Sequence, residues 1–153
     1  MDLGTPVDYL KAKLDRSRED LTDARDLFQR GKYRLSINRA YYAIFHIVSA
    51  TMVAMGHVRS KHSGVEAAFQ QYLIRPGLLE PEHGVTYKLA RKLREDADYS
   101  IDKIVTEEMA RDILERCEYL ASQVEQYLYK SGLLSKKGSK GEKQKDPAKA
   151  DYL

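Results

Sequence analysis

The chain is short of several things, and each shortage narrows what it can be. It has a single cysteine, Cys117, among 153 residues, which excludes an internal disulfide and a cysteine-based metal cluster. That cysteine falls between Ile113, Leu114 and Leu120, the register of a small core residue in a helix. No apolar run approaches the roughly 20 residues that a membrane span requires, and Met1 to Lys13 contains no basic-then-apolar signal region. A cytoplasmic protein with no membrane contact is the expectation. Strand-like alternation and internal repeats are missing, as are closely spaced His/Glu sets of the kind that hold zinc. What is left is helix-forming sequence for one domain with a single core.

A charge bias is missing as well, although the net charge is +3. Residues 135–153 hold six lysines (136, 137, 140, 143, 145 and 149) against Glu142, Asp146 and Asp151, whereas residues 1–134 carry 20 basic and 20 acidic side chains. The basic excess therefore belongs to a terminal segment of Lys, Gly, Ser and Pro with almost nothing apolar to bury. The expected organisation is a helical body over 1–134 and a disordered Lys-rich tail over 135–153, dispensable for folding. A neutral body has no general electrostatic footprint for nucleic acid, so any RNA contact has to come from a local patch or a shared site.

Apolar residues recur at helical spacing through most of the body. Leu10, Leu14, Leu21, Ala24, Leu27 and Phe28 mark a first helix over about 7–30, with Pro6 in its first turn and Gly31 as its stop. A second runs from about Tyr33 to Met55 and stops at Gly56; Leu35, Ala40, Tyr41, Ile44, Phe45, Val48, Met52 and Met55 give it an apolar surface too broad for a solvent-facing helix. It should be central and most buried. Ser63 reads as the N-cap of a third helix that ends before Pro76-Gly77, a fourth covers about Val85 to Ala97, and a fifth follows Thr106 as N-cap and continues to about Lys130. The fold class is all-α, an up-and-down bundle of four to five helices. His57 and His83 have no supporting context and are expected to be exposed.

The most informative stretch is Ser36-Ile37-Asn38-Arg39-Ala40-Tyr41-Tyr42-Ala43-Ile44-Phe45-His46. It places an arginine and a histidine seven residues apart in an otherwise apolar helix, which puts both on one stripe because seven steps return to within roughly 20° of the start. Arginine keeps its charge and holds anionic oxygens; histidine titrates near neutrality and moves protons. The same spacing also suits an arginine paired with a buried acid and a histidine satisfied in a core or interface. Lys61 and His62 suit a surface loop or a phosphate contact at the start of the third helix. Arg94 and Asp98 can pair on one helix face, and with Tyr99 they read as structural, fixing the end of the fourth helix against the second.

Arg39-Ala40-Tyr41-Tyr42-Ala43-Ile44-Phe45-His46, preceded by Ser36 and followed by Lys61-His62-Ser63-Gly64-Val65 and Arg94-Glu95-Asp96-Ala97-Asp98-Tyr99, resembles a prokaryotic branch of the HEPN superfamily. The three motifs occur in the family's order, and the resemblance runs from about Tyr9 to Leu128. It implies a homodimer in which Arg39 and His46 of each subunit meet in a shared cleft as catalytic residues, with Lys61 and His62 as nucleic-acid contacts at its rim. The activity implied is that of a metal-independent endoribonuclease without a cofactor, used as a toxin or RNA-processing factor and paired with a nucleotidyltransferase antitoxin. In that chemistry one histidine takes the ribose 2′-OH proton, the other protonates the departing 5′-oxygen, and the arginines stabilise charge on phosphorus.

The chain departs from the pattern at two places. Ala40 stands where many active members have a polar residue, and Val48 stands where some toxins carry a tyrosine that a partner nucleotidyltransferase modifies with AMP. That form of control is not implied here. Two other readings stay open: a non-catalytic nucleotide-binding or scaffold module partnering a minimal nucleotidyltransferase, and a structural bundle whose Arg/His pair fixes an interface.

Overall fold

The computed structural model describes residues 4–100 and 102–135; the Lys-rich tail beyond lies outside the described residues. Five helices follow one another, with no strand among the described residues: α1 (Pro6–Gln29), α2 (Tyr33–Ala54), α3 (His62–Phe69, continued by a π-helical turn over Gln70–Ile74), α4 (Pro81–Tyr99) and α5 (Glu107–Lys130). None of them is long and apolar enough to cross a membrane.

Local chemistry sets most of the boundaries. Thr5 and Asp8 form a reciprocal capping box, the Thr5 hydroxyl accepting from the Asp8 amide at 3.1 Å and the Asp8 carboxylate accepting from the Thr5 amide at 3.2 Å, and Pro6 follows as the first helical residue. Gly31, at φ +77°, turns the chain into α2 through a conformation that side-chain-bearing residues resist. Thr106 caps α5 by accepting from the Met109 amide at 3.2 Å.

Two starts differ from the sequence reading. Helix α3 begins at His62 with Lys61 as its cap, and no side chain caps it, so Ser63 lies inside the first turn. Helix α4 begins at Pro81, with Glu80 as its cap, a full turn before Val85, because proline's fixed φ and missing N–H suit the first helical position. The earlier start carries His83 inward. It is 1% exposed, with its ring 5.0 Å from that of Tyr119. His57 is not free either: it is half-buried and stacks on Tyr72 with ring centroids 3.6 Å apart.

Helix α2 is the axis of the bundle and touches all four other helices. That position accounts for its broad apolar surface, since Ile37, Ala40, Tyr41, Ala43, Ile44, Ile47, Val48, Ala50 and Met52 are all buried within a single copy of the chain. Tyr41, Phe69 and Tyr87 form an aromatic centre, with Tyr87 at 6.2 Å from Tyr41 and 5.3 Å from Phe69. Cys117 is fully buried, and burial pushes its thiol far above the ordinary range, the environment of an inert core sulfur.

Helices α1 and α2 are clasped by two serines. Ser17 on α1 donates to the Ala43 carbonyl on α2 at 2.8 Å, and Ser36 on α2 donates to the Ala24 carbonyl on α1, also at 2.8 Å. Small side chains let the two backbones approach, and each hydroxyl finds an acceptor across the gap, so neither is a buried polar group left unpaired. This close approach brings Asp20 of α1 against the Arg39/His46 stripe of α2.

Candidate functional site

Asp20 sits on the buried stripe of α1 with Leu10, Leu14, Ser17 and Ala24. Its carboxylate is the inner wall of the site. Arg39 Nη1 lies 3.3 Å from Asp20 Oδ1, Arg16 Nε lies 3.7 Å from the same oxygen, and His46 Nε2 lies 3.7 Å from Oδ2. The acid side chain is 4% exposed, against 32% for Arg39 and 16% for His46, so a ligand can reach the arginine and the histidine's edge but not the carboxylate. Burial raises the Asp20 carboxyl above its usual range, against the pull of Arg39 and Arg16 and with the help of Asp23 and Glu19. Its Oδ2 is buried without a hydrogen-bond partner.

His46 is the chemically unusual group. Burial, reinforced by Lys13, Arg16, Arg39 and His62, lowers its imidazole to about 4. At neutral pH the ring is uncharged, so its contact with Asp20 joins a neutral imidazole to a carboxylate, at a separation beyond hydrogen-bonding range. A neutral imidazole can accept a proton at either ring nitrogen, depending on tautomer.

Arg39 is held on its other side by Asn38, whose Oδ1 accepts from Arg39 Nε at 3.2 Å and from Nη2 at 2.9 Å. Asn38 in turn donates to Asp98 Oδ2 at 3.0 Å, tying α2 to the end of α4. Ala40 is fully buried in the core, so the polar neighbour that steadies the arginine comes here from the residue before it.

The structure also brings His62 to this face. Its ring lies 4.1 Å from Phe45 and 5.9 Å from Tyr42, and its Nδ1 is 3.4 Å from the Tyr41 hydroxyl. Burial, followed by the charge of Arg94, lowers the His62 imidazole from its ordinary value. Lys61 stands next to it, exposed. Arg94 and Asp98 do pair, at 3.7 Å. The residues that sequence spacing missed are Asp20, Asn38 and the part played by Arg94. Asp20 had one available signal, an acid in the inward register of an apolar helix. Two concavities of about 390 and 350 Å³ lie elsewhere, the first between the π-turn and α4 and the second at the α1–α2 turn, and neither is lined by Arg39 or His46.

The fold and the stripe define a helical bundle that presents an arginine and a neutral histidine over a buried acid. The chain belongs to the HEPN family: the HEPN domain model matches residues 10–127. It is 34% identical over 119 residues to "Putative toxin MJ0605" of Methanocaldococcus jannaschii, covering 78% of this chain and 88% of that one. To a UPF0332 protein of Thermotoga maritima it is 34% identical over 113 residues, 74% of this chain and 86% of the relative. A second protein of Methanocaldococcus jannaschii, "Putative toxin MJ0142", is 24% identical over 125 residues, 82% of this chain and 85% of its own.

Proposed function

We propose that the chain is a HEPN-type endoribonuclease toxin that works as a homodimer and needs no metal. The observation that carries this reading is the placement of Arg39 and of a neutral His46 side by side over the buried Asp20. In the proposed reaction Arg39 binds the non-bridging oxygens of the scissile phosphate, and Asp20 and Asn38 fix its guanidinium so that little orientation is lost on binding. His46 takes the proton of the ribose 2′-OH, whose oxygen then attacks phosphorus. His46 of the partner subunit delivers a proton to the departing 5′-oxygen, leaving a 2′,3′-cyclic phosphate and a free 5′-hydroxyl. Phosphate bound at Arg39 favours the imidazolium and raises the depressed pKa of the ring toward neutral pH, so that the charged form the acid role needs becomes populated. The toxin role rests on the family and on the names of the two archaeal relatives, and a nucleotidyltransferase is the proposed antitoxin.

The experiment is cleavage of RNA by the purified full-length chain in EDTA. Activity is expected to persist and to leave cyclic phosphate ends, and His46→Ala and Arg39→Ala should each lower it by roughly 10²-fold or more. Wild-type protein that cuts no RNA, together with a His46→Ala variant whose main defect is lost folding or association, would replace the nuclease with an interface or scaffold role.

A further inference from the structure

Arg94 is a buried cation of this face that the reaction above leaves unused. Its side chain is 9% exposed, and its Nε is buried with no hydrogen-bond partner. A guanidinium carries five donors and ordinarily satisfies them when buried. Its one acid among the described residues, Asp98, stands 3.7 Å away with Oδ2, and that same oxygen already accepts from Asn38 at 3.0 Å. The rest of its surroundings is three tyrosines: the guanidinium carbon lies 4.9 Å from the ring centre of Tyr41, 5.5 Å from Tyr42 and 5.9 Å from Tyr99, and the hydroxyls of Tyr41 and Tyr99 are placed to accept from it. Aromatic faces and neutral phenol oxygens offset part of the cost of burying a cation, but neither offers the strength of a charge-assisted bond to an anion, and Nε has no acceptor at all.

Tyr42 links this arginine to the Arg39/His46 stripe. Its ring centre is 5.3 Å from the Arg39 guanidinium carbon and 5.5 Å from that of Arg94. The rings of His46 and His62 stand 6.2 and 5.9 Å from the same centre. One half-buried tyrosine is thus ringed by two arginines and two histidines from three helices. The two guanidiniums share one ring between them, close enough for neighbouring phosphates of one strand to engage both. Tyr99, 76% exposed at the end of α4, is the outer cover of Arg94 and the side chain with most room to move aside.

We propose that Arg94 is a second phosphate-binding arginine of this site, holding a phosphate that flanks the scissile one on the same RNA strand. The inference rests on the ribonuclease reading. Arg39 and His46 then act at the bond that breaks, while Arg94, with His62 near it, fixes the register of the strand.

The test uses an RNA oligonucleotide with one mapped cleavage site and a series in which each flanking phosphate in turn is replaced by an uncharged methylphosphonate. With the wild-type chain, neutralising one flanking phosphate should lower kcat/KM by roughly tenfold, in line with the loss of a charge-assisted contact. With Arg94→Gln the same replacement should cost almost nothing, because the contact is already gone, and the salt dependence of RNA binding should flatten by about 0.7 in slope. A purely structural arginine would move neither quantity selectively. If Arg94→Gln does not fold, Arg94→Lys takes its place; it keeps the charge, lacks the planar fork, and should show a reduced sensitivity to the same phosphonate. Equal sensitivity in wild type and variant, or a wild type indifferent to every flanking phosphate, overturns the assignment and leaves the ribonuclease standing. A wild type that cleaves no RNA overturns both.

Discussion

At the scale of single residues, the histidines divide by what burial does to them. His83 is buried with both ring nitrogens unpartnered, and burial lowers its imidazole, opposed by Glu82 and Glu80. His46 and His62 are lowered too. The unfolded chain therefore binds protons on these rings as pH falls below the ordinary value near 6.5, while the folded chain resists until a lower pH, about 4 for His46. The histidines' contribution to stability is complete above that window and declines as pH falls through it. Melting temperature should drop between pH 7 and pH 4.5, and His83→Leu should raise stability by roughly 1 kcal/mol at pH 7, the cost of a buried unpaired polar group, and flatten the acid decline. Thermal denaturation across this range checks both; a His83→Leu curve parallel to wild type would show that the ring is not the titrating group. Asp20 allows a separate test. Asp20→Asn should lower cleavage by roughly tenfold or more by unfixing Arg39, and should move the His46 titration further down because a nearby negative charge is gone. An NMR titration of His46 in the variant reads this directly. Arg39 and His46 were legible in the sequence because a seven-residue spacing in an apolar helix is conspicuous. Asp20 was not, since it is one of several acids on α1, and only its register beside Leu14, Ser17 and Ala24 sets it apart.

Among the elements, the α1–α2 pair decides whether the site exists. Ser36 read in the sequence as part of the motif around Arg39; its role is to donate across to Ala24, while Ser17 returns the bond to Ala43. Ser36→Ala should cost about 1 kcal/mol for the lost hydrogen bond and leave the helix spacing intact. Ser36→Leu should cost roughly 1–3 kcal/mol or more by overpacking, and should depress cleavage further than its stability loss explains, because moving the helices apart separates Asp20 from Arg39. Denaturant unfolding compared with activity at a temperature where both variants are folded distinguishes the two. The helical pattern made α1, α2 and α5 legible almost to the residue. It failed at the start of α4, where Pro81 opens the helix in a segment with little apolar periodicity, and so it left His83 on the outside.

For the whole molecule, the question is how a single reaction obtains two proton carriers. The breadth of apolar surface on α2 does not answer it, because a single copy of the chain already buries most of that surface. The site itself is more telling. His46 can take a proton at the attacking oxygen, yet in-line displacement places the leaving oxygen on the opposite side of phosphorus, so a different group must supply the second proton. Within one protomer the available ring is His62, across Phe45 from His46; in a shared cleft it is His46 of the partner subunit. We expect the second arrangement, and mixing experiments separate the two. If wild-type and His46→Ala chains are unfolded together and refolded at varied ratios, a shared cleft makes every mixed dimer inactive, so activity should follow the square of the wild-type fraction. A site complete within one protomer would give a straight line instead. The mixed species can be counted by tagging one variant and separating dimers on the tag, and light scattering on the same samples gives the mass. A linear dependence with an intact dimer would hand the acid role to His62, and a monomer at high micromolar concentration would remove the shared cleft altogether.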